Sequence, residues 1–420
     1  MKKIRIFIGF SEVANVFSNL LKGFRGLGVQ YTFIVYGENP NKYEGDNSKN
    51  IFQEYFYYLN ERMIAHKKSR IISNFFYLIH VLLRVPLFIW ALSRHDVFVF
   101  SYNSSFFGLY DLPILKFFNK KIIYYYFGSD GRPPYLNGNY ISEEYNLSDV
   151  YNLSLDKYKK LKWIEKYSTY IISDLNYSQF FSTKIIDLLQ IGIPINLEHI
   201  ETNEEMVRGG MINILHAPSS KKAKGSKIFS EIIEELKNEG HNINYIELSN
   251  VPNRIVLEGL IKCDFLVDEL YSDAPMAGLA TEAAYFAKPA IIGGYASFDS
   301  RKGVTPPSLY VEPSKIKQAI VKLIVDKRFR IELGEKAKKY VAKYRTPEVV
   351  TNKFLQIVND DIPDEWFFDA PKSDYFYGWA VSKENLKFFL KNYIEKYGKE
   401  GLFLSHNSNL ENKILDFIRD

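Results

Sequence analysis

Five apolar runs in the first half of the chain, and five more in the second, alternate with segments of helical spacing. That alternation constrains the fold more than any other feature. The first five runs fall at residues 4–10, 30–36, 96–102, 120–128 and 169–174, as in "IRIFIGF" and "DVFVFSY". Between them, residues 12–28 and most of 51–94 have the spacing of helices, and the polar stretch 37–50 reads as a loop. Strands rich in β-branched and aromatic residues, separated by helices, are the pattern of a parallel sheet buried on both faces. Residues 131–156, with "GRPPYLNGN", read as a loop. The series restarts at 211–218 and continues at 243–248, 263–270, 289–294 and 308–312. Residues 225–241 form an amphipathic helix, and helices fill 314–358.

The stretch 191–210 carries Pro, Gly and charge without periodicity and reads as a linker. The expected class is therefore α/β, with two Rossmann-like, doubly wound domains facing a cleft. Residues 1–200 make the first and 201–358 the second. Residues 359–420, aromatic and then helical after Ser382, form an extension that crosses back to the first domain or adds an interface.

Composition narrows the function classes. The 420 residues are 46% hydrophobic and 25% charged, which is ordinary for globular proteins. The net charge is +5, and residues 1–200 hold 23 Lys/Arg against 17 Asp/Glu. That mild bias suits phosphate or anionic lipid. It is too weak for nucleic acid, for which no basic helix, zinc-finger spacing or RNA-binding signature occurs. One cysteine, Cys263, rules out internal disulfides and cysteine-based metal sites. "MKKIRIFIGF" reads as a first strand and not as a signal peptide, so a cytoplasmic protein is expected.

Residues 71–92, "IISNFFYLIHVLLRVPLFIWAL", are long and apolar enough to raise a membrane span. His80, Arg84 and Pro86 lie in the middle, and Lys67, Lys68 and Arg70 precede them. A central Arg is costly in lipid. Three readings stay open: a span, a core helix, and a helix lying on the membrane surface.

Two segments carry site chemistry. In "HAPSSKKAKGSKIF" (216–229) a strand ends, a basic loop follows and a helix opens at Gly225. Helix N-termini present free N–H groups and partial positive charge to phosphate, and Lys221, Lys222 and Lys224 add ammonium groups. A solvated basic turn is the competing reading. In "PMAGLATEAAYFAKPAIIGG" (275–294), Glu282 lies one turn inside a helix that starts near Gly278. It reads as a ligand for ribose hydroxyls or as an electrostatic cap. His216 is a donor contact or a core histidine. No H-E-x-x-H, paired metal spacing or G-x-S-x-G occurs.

Together these segments resemble the nucleotide-sugar domain of retaining GT-B glycosyltransferases of family 4 (glycosyl transferases group 1). There a Lys-Gly turn opens a helix after a strand, and a later E-x7-E element ends in "EAMA-x-GKPVI". The matching residues are Lys224, Gly225 and "EAAYFAKPAII" (282–292). The resemblance implies transfer of a sugar from a UDP- or GDP-linked donor to a carbohydrate, glycolipid or protein hydroxyl, without cofactor or metal. Lys224 would hold the diphosphate, aided by Lys221 or Lys222. Glu282 would bind the ribose, and the amides of Ala277, Gly278 and Leu279 would face the phosphates. "YYYFGSDGRPP" (124–134) resembles the "HGSD-x-R" loop of some of these enzymes, which implies that Asp130 and Arg132 line the cleft and that Asp130 orients acceptor or donor sugar. Ser11 and Asn15, after the first strand, are acceptor candidates.

The sequence departs from the pattern at several positions. The first Glu of E-x7-E is Ala274, the usual Arg before the Lys-Gly turn is Pro218, and the loop His is Phe127. The motif's glycines are Ala277 and Ala287. Asp268, Glu269 or Asp273 could supply the missing acid. A surface-polysaccharide or glycoconjugate enzyme at the inner face of the cell membrane, a protein O-glycosyltransferase, a nucleotide-sugar epimerase and an inactive GT-B subunit that binds a partner all stay open.

Overall fold

The computed structural model describes residues 4–36, 51–141, 145–197, 210–298 and 305–419. The loop expected at 37–50 and the domain boundary at 200 lie outside the described residues.

Twelve strands form two sheets among these residues. They are β1 (Arg5–Phe10), β2 (Gln30–Val35), β3 (Val97–Ser101), β4 (Lys121–Tyr125), β5 (Tyr170–Ser173) and β6 (Lys184–Asp187), then β7 (Ile212–His216), β8 (Ile243–Glu247), β9 (Phe265–Val267), β10 (Ala290–Gly293), β11 (Leu309–Val311) and β12 (Phe367–Asp369). Helices α1 (Val16–Gly26), α2 (Ile51–Ala65), α3 (Arg70–Arg94), α4 (Leu112–Phe117), α5 (Leu147–Tyr167) and α6 (Leu188–Ile191) accompany the first six strands. With the next five come α7 (Lys221–Lys224), α8 (Ser226–Asn238), α9 (Asn253–Lys262), α10 (Gly278–Tyr285), α11 (Ile316–Val325) and α12 (Lys327–Tyr344). The chain ends with α13 (Pro347–Val358), α14 (Lys383–Tyr397) and α15 (Ser408–Arg419).

The first sheet runs β12-β6-β5-β4-β3-β1-β2, and all its pairs are parallel except β12 with β6. The second runs β11-β10-β9-β7-β8 and is wholly parallel. Both are Rossmann-like and doubly wound. In each, the strand order reverses beside the sheet's first strand, which is where such sheets place ligands. Alternation along β1 sends Ile6 and Ile8 to one core and Phe7 to the other, and each sheet has a buried cluster on both faces.

The C-terminal segment closes the first sheet's cores, beginning with α13, which falls in the stretch 201–358 expected to belong to the second domain. α13 lies on α1, where the Thr351 hydroxyl donates to Leu20 O at 3.1 Å and Phe354 meets Phe24 at 5.8 Å. Leu386, Leu390, Tyr393, Leu410 and Ile414 enter the cluster that holds Phe7 and Phe98.

Two local expectations change. Residues 147–156, read as loop, are the first turns of α5. Asn146 accepts from the Ser148 and Asp149 N–H groups, and Asp149 accepts back from the Asn146 N–H at 3.3 Å, a reciprocal cap that starts the helix. Strands β6 and β12, four and three residues long, are too short to show a period.

Candidate active site

At the reversal point of the second sheet, β7 ends in His216 and β9 leads into Asp268 and Glu269. Between β7 and α8, Ser220 caps the single turn α7 through the Ala223 N–H. Gly225 then turns the chain at φ +78°, and a Cβ there would stand 2.5 Å from Leu270 Cβ. Only glycine fits that approach without displacing Leu270. The turn delivers Lys224 inward. Its ammonium lies 3.1 Å from Asp268 Oδ1 and is also bonded to Glu269 Oε1. Glu269 Oε2 accepts from the Trp379 indole at 2.8 Å.

Electrostatics follow from this packing. Burial lowers the Lys224 pKa, but the two carboxylates outweigh it and hold the ammonium charged above its ordinary range. Burial also pushes Glu269 up, and Lys224 outweighs that, so Glu269 stays ionised. Asp268, in the longer contact, is left with a raised pKa because burial prevails over Lys224. Glu282, inside α10, is pushed up to about 7 by burial, with Asn253 Nδ2 donating to it at 3.4 Å.

The N-terminus of α10 takes no cap from its own N-cap residue, and the Asp268 carboxylate lies beside the Ala280 N–H of its first turn. Ala277 is extended and gives no side-chain cap, and a Cβ on the exposed Gly278 would meet nothing within 4 Å. The Leu279 N–H belongs to the same first turn. The structure thus brings Lys224, Gly225, Ala277, Gly278, Leu279 and Glu282 to one end of one sheet.

It places other candidates elsewhere. His216 is fully buried. Its Nδ1 lies 2.9 Å from Val267 O, which can only accept, so Nδ1 carries the proton and Nε2 accepts from the Ser226 hydroxyl at 2.8 Å. Burial lowers its pKa to about 4. His216 therefore ties β7, β9 and α8 together and has no free nitrogen for a donor. Lys221 and Lys222 are exposed, and Lys221 pairs with Glu247 at 2.5 Å. Asp130 does not face the cleft as an orienting group. It is buried, and its carboxylate accepts from the N–H groups of Phe127, Gly128 and Gly131, all in its own turn. Burial raises its pKa.

Arg132, carried by that turn, reaches across the cleft. Its Nε donates to Asp273 Oδ2 at 3.0 Å, a second bond runs from Nη2, and both side chains are buried. Asn176 Nδ2 donates to Asp273 O at 2.7 Å. Asp273, beside the Ala274 that interrupts E-x7-E, has its pKa raised by burial to about 6, against the pull of Arg132. Ser11 and Asn15 lie at the reversal point of the first sheet, where Ser101 Oγ donates to Ser11 O at 3.3 Å and Asn15 precedes α1 at φ +60°. The sequence reading missed Glu12, whose carboxylate accepts from the N–H groups of Val13, Phe17 and Ser18 and from the Ser18 hydroxyl. This acid occupies the N-terminus of α1 and satisfies its free N–H groups. Trp379 and Asn176 also escaped notice, since only tertiary contact brings them here.

No protein-family model matches the chain, and no curated protein matches it in sequence. Solved structures do match. A glycosyltransferase from Rickettsia africae is 13% identical, with a TM-score of 0.51 over 86% of this chain and 99% of its own. HepE of Anabaena, solved in complex with UDP-glucose, is 9% identical, with a TM-score of 0.50 over 85% of this chain and 99% of its own. Sucrose-phosphate synthase from Thermosynechococcus elongatus is 11% identical, with a TM-score of 0.49 over 86% and 99%. At such identities the likeness concerns architecture. The chain has the two-domain GT-B fold.

Proposed function

We propose that this chain is a glycosyltransferase using a UDP- or GDP-linked sugar. The observation that carries the reading is the N-terminus of α10, which takes no side-chain cap from Ala277 and converges with Lys224 and Glu282 at the carboxyl ends of β7 and β9. Backbone N–H groups and an ammonium there suit a diphosphate, and Glu282 one turn inside suits ribose hydroxyls. The fold shared with the Rickettsia africae glycosyltransferase and with HepE, solved with UDP-glucose, supports it.

In the proposed reaction the bond from the anomeric carbon to the diphosphate breaks, and a bond to the acceptor oxygen forms on the same face. The acceptor proton passes to the leaving phosphate oxygen. Lys224 and the α10 amides meet the charge that develops on that oxygen, so no metal is required in this scheme. To reach Lys224 the diphosphate displaces Asp268, whose raised pKa allows it to take up a proton as the anion enters. Arg132 would reorient from Asp273 toward the sugar or its phosphate. The proposed setting is cytoplasmic, at the inner face of the cell membrane, in surface polysaccharide or glycoconjugate assembly.

A second reading has an observation of its own. Three buried carboxylates, Asp268, Glu269 and Asp273, face two cations, Lys224 and Arg132. That excess of negative charge opposes a diphosphate and suits a non-catalytic GT-B subunit. Thermal shift and turnover with UDP, GDP and a panel of their sugars separate the two. A nucleotide at a hundredfold over its Kd raises stability by about 2.7 kcal/mol. No shift and no turnover with any member would select the subunit.

A further inference from the structure

α3 is the one helix among the described residues that is long and apolar enough to cross a membrane. Its C-terminal half cannot do so, because Leu87, Phe88 and Ala91 are built into the core of the first sheet with Phe7 and Phe98. The rest of α3 leaves the globule. Phe52 of α2 packs at 5.6 Å from Trp90, Phe56 at 4.8 Å from His80, and His66 at 6.0 Å from Phe76. α2 and α3 therefore form an antiparallel hairpin. His80 also touches Tyr36, at the carboxyl end of β2. Arg70 lies ten residues further out, about 15 Å at the helical rise. The tip thus projects beyond the edge of the sheet where the cleft opens.

Along α3, Ile71, Phe75, Leu78, Leu82, Val85 and Ile89 recur at alternating spacings of four and three. Each is between 47% and 84% exposed. Tyr55, Tyr58 and Ile64 of α2 are exposed as well. Such a continuous apolar stripe is not normal on a soluble monomer. Residues 62–94 contain six Lys/Arg and no Asp or Glu. Lys67, Lys68 and Arg70 are exposed at the tip, at one end of the stripe.

We propose that the α2–α3 hairpin docks on an anionic bilayer, with the stripe sunk among headgroups and the tip lysines on lipid phosphate. The partner is a lipid surface because residues 62–94, which carry the α3 stripe and the tip, hold positive charge alone, the acids Glu54 and Glu61 lying further back on α2, and because the stripe is the exposed face of a single helix. Docking would hold the cleft beside the membrane, where an acceptor on lipid is within reach. The inference does not depend on the chemistry of the cleft.

The test is flotation of the full chain with vesicles of phosphatidylcholine alone and with about a third phosphatidylglycerol. Binding is expected to the anionic vesicles, weakened by salt. Lys67→Gln, Lys68→Gln and Arg70→Gln together should weaken it about a hundredfold. Phe75→Ser, Leu78→Ser and Leu82→Ser together should abolish it, with the thermal midpoint kept because these side chains are exposed. No binding to either vesicle overturns the proposal, as does binding that both variants leave unchanged. A dimer in sedimentation that the serine variant dissociates, without vesicle binding, would assign the stripe to a second copy instead.

Discussion

Arg132 and Asp273, 141 positions apart, meet across the cleft with Nε 3.0 Å from Oδ2, and neither side chain is exposed beyond 6%. Removing one member leaves the other charge buried without its partner, which costs about 3–5 kcal/mol. Arg132→Met and Asp273→Asn should each lower the thermal midpoint. The double variant should lose clearly less than the sum. Additive losses in that cycle would mean that the pair is not an energetic unit.

Glu282 gives a signed pH prediction. Its folded pKa of about 7 lies above the ordinary 4.5, so the folded chain binds the proton more tightly than the unfolded chain. Stability therefore falls as pH rises from 4.5 to 7. Glu282→Gln should stabilise the ligand-free protein at pH 8, by on the order of 3 kcal/mol at most. The gain should vanish near pH 4.5. In the proposed function the same change raises donor KM strongly. A more stable protein that binds nucleotide poorly is the expected result, and an unchanged KM would remove Glu282 from the site.

His216 has the opposite sign. Its folded pKa of about 4 lies below the ordinary 6.5, so its contribution is complete above pH 6.5 and is lost as pH falls toward 4. His216→Gln should cost about 1–3 kcal/mol at pH 7 through its two buried hydrogen bonds. Its deficit against the natural chain should shrink by pH 5. Thermal midpoints at the two pH values decide this, and a deficit that grows on acidification would contradict it.

Two glycines separate shape from ligand approach. Gly225→Ala forces a Cβ against Leu270 at positive φ, so it should destabilise by about 2 kcal/mol or more and disturb the Lys224 turn. Gly278→Ala meets nothing within 4 Å and should leave the thermal midpoint alone. In the proposed function it should nevertheless weaken nucleotide binding severalfold, because the added methyl takes up open space at the helix end assigned to the diphosphate. Titration of UDP and GDP against both variants is the measurement.

The strands that the sequence showed are those with long apolar runs, such as β1 and β4, buried on both faces. The local setting of Lys224, Gly225 and Glu282 was legible because these residues follow local rules for turns and helix starts. Asp130 was misassigned because an acid that satisfies its own turn looks, in sequence, like one that faces a ligand. Arg132 with Asp273, and Trp379 with Glu269, left no local trace. Each pair joins segments more than a hundred residues apart, and only the packed fold determines their partners.

Strand β12 and helices α14 and α15 complete a sheet whose other strands lie before residue 188. During synthesis the first sheet is therefore finished last. Roughly 230 residues separate β6 from Ile414, which at ribosomal speeds is about 10–45 s. Throughout that interval Tyr135, Tyr151 and Tyr158 lack their partners Tyr393, Tyr397 and Phe403, while the second sheet, contiguous in sequence, can already close. The nascent chain is most exposed to aggregation and to chaperones in this window, and the hairpin beside the unfinished core has already emerged when it opens.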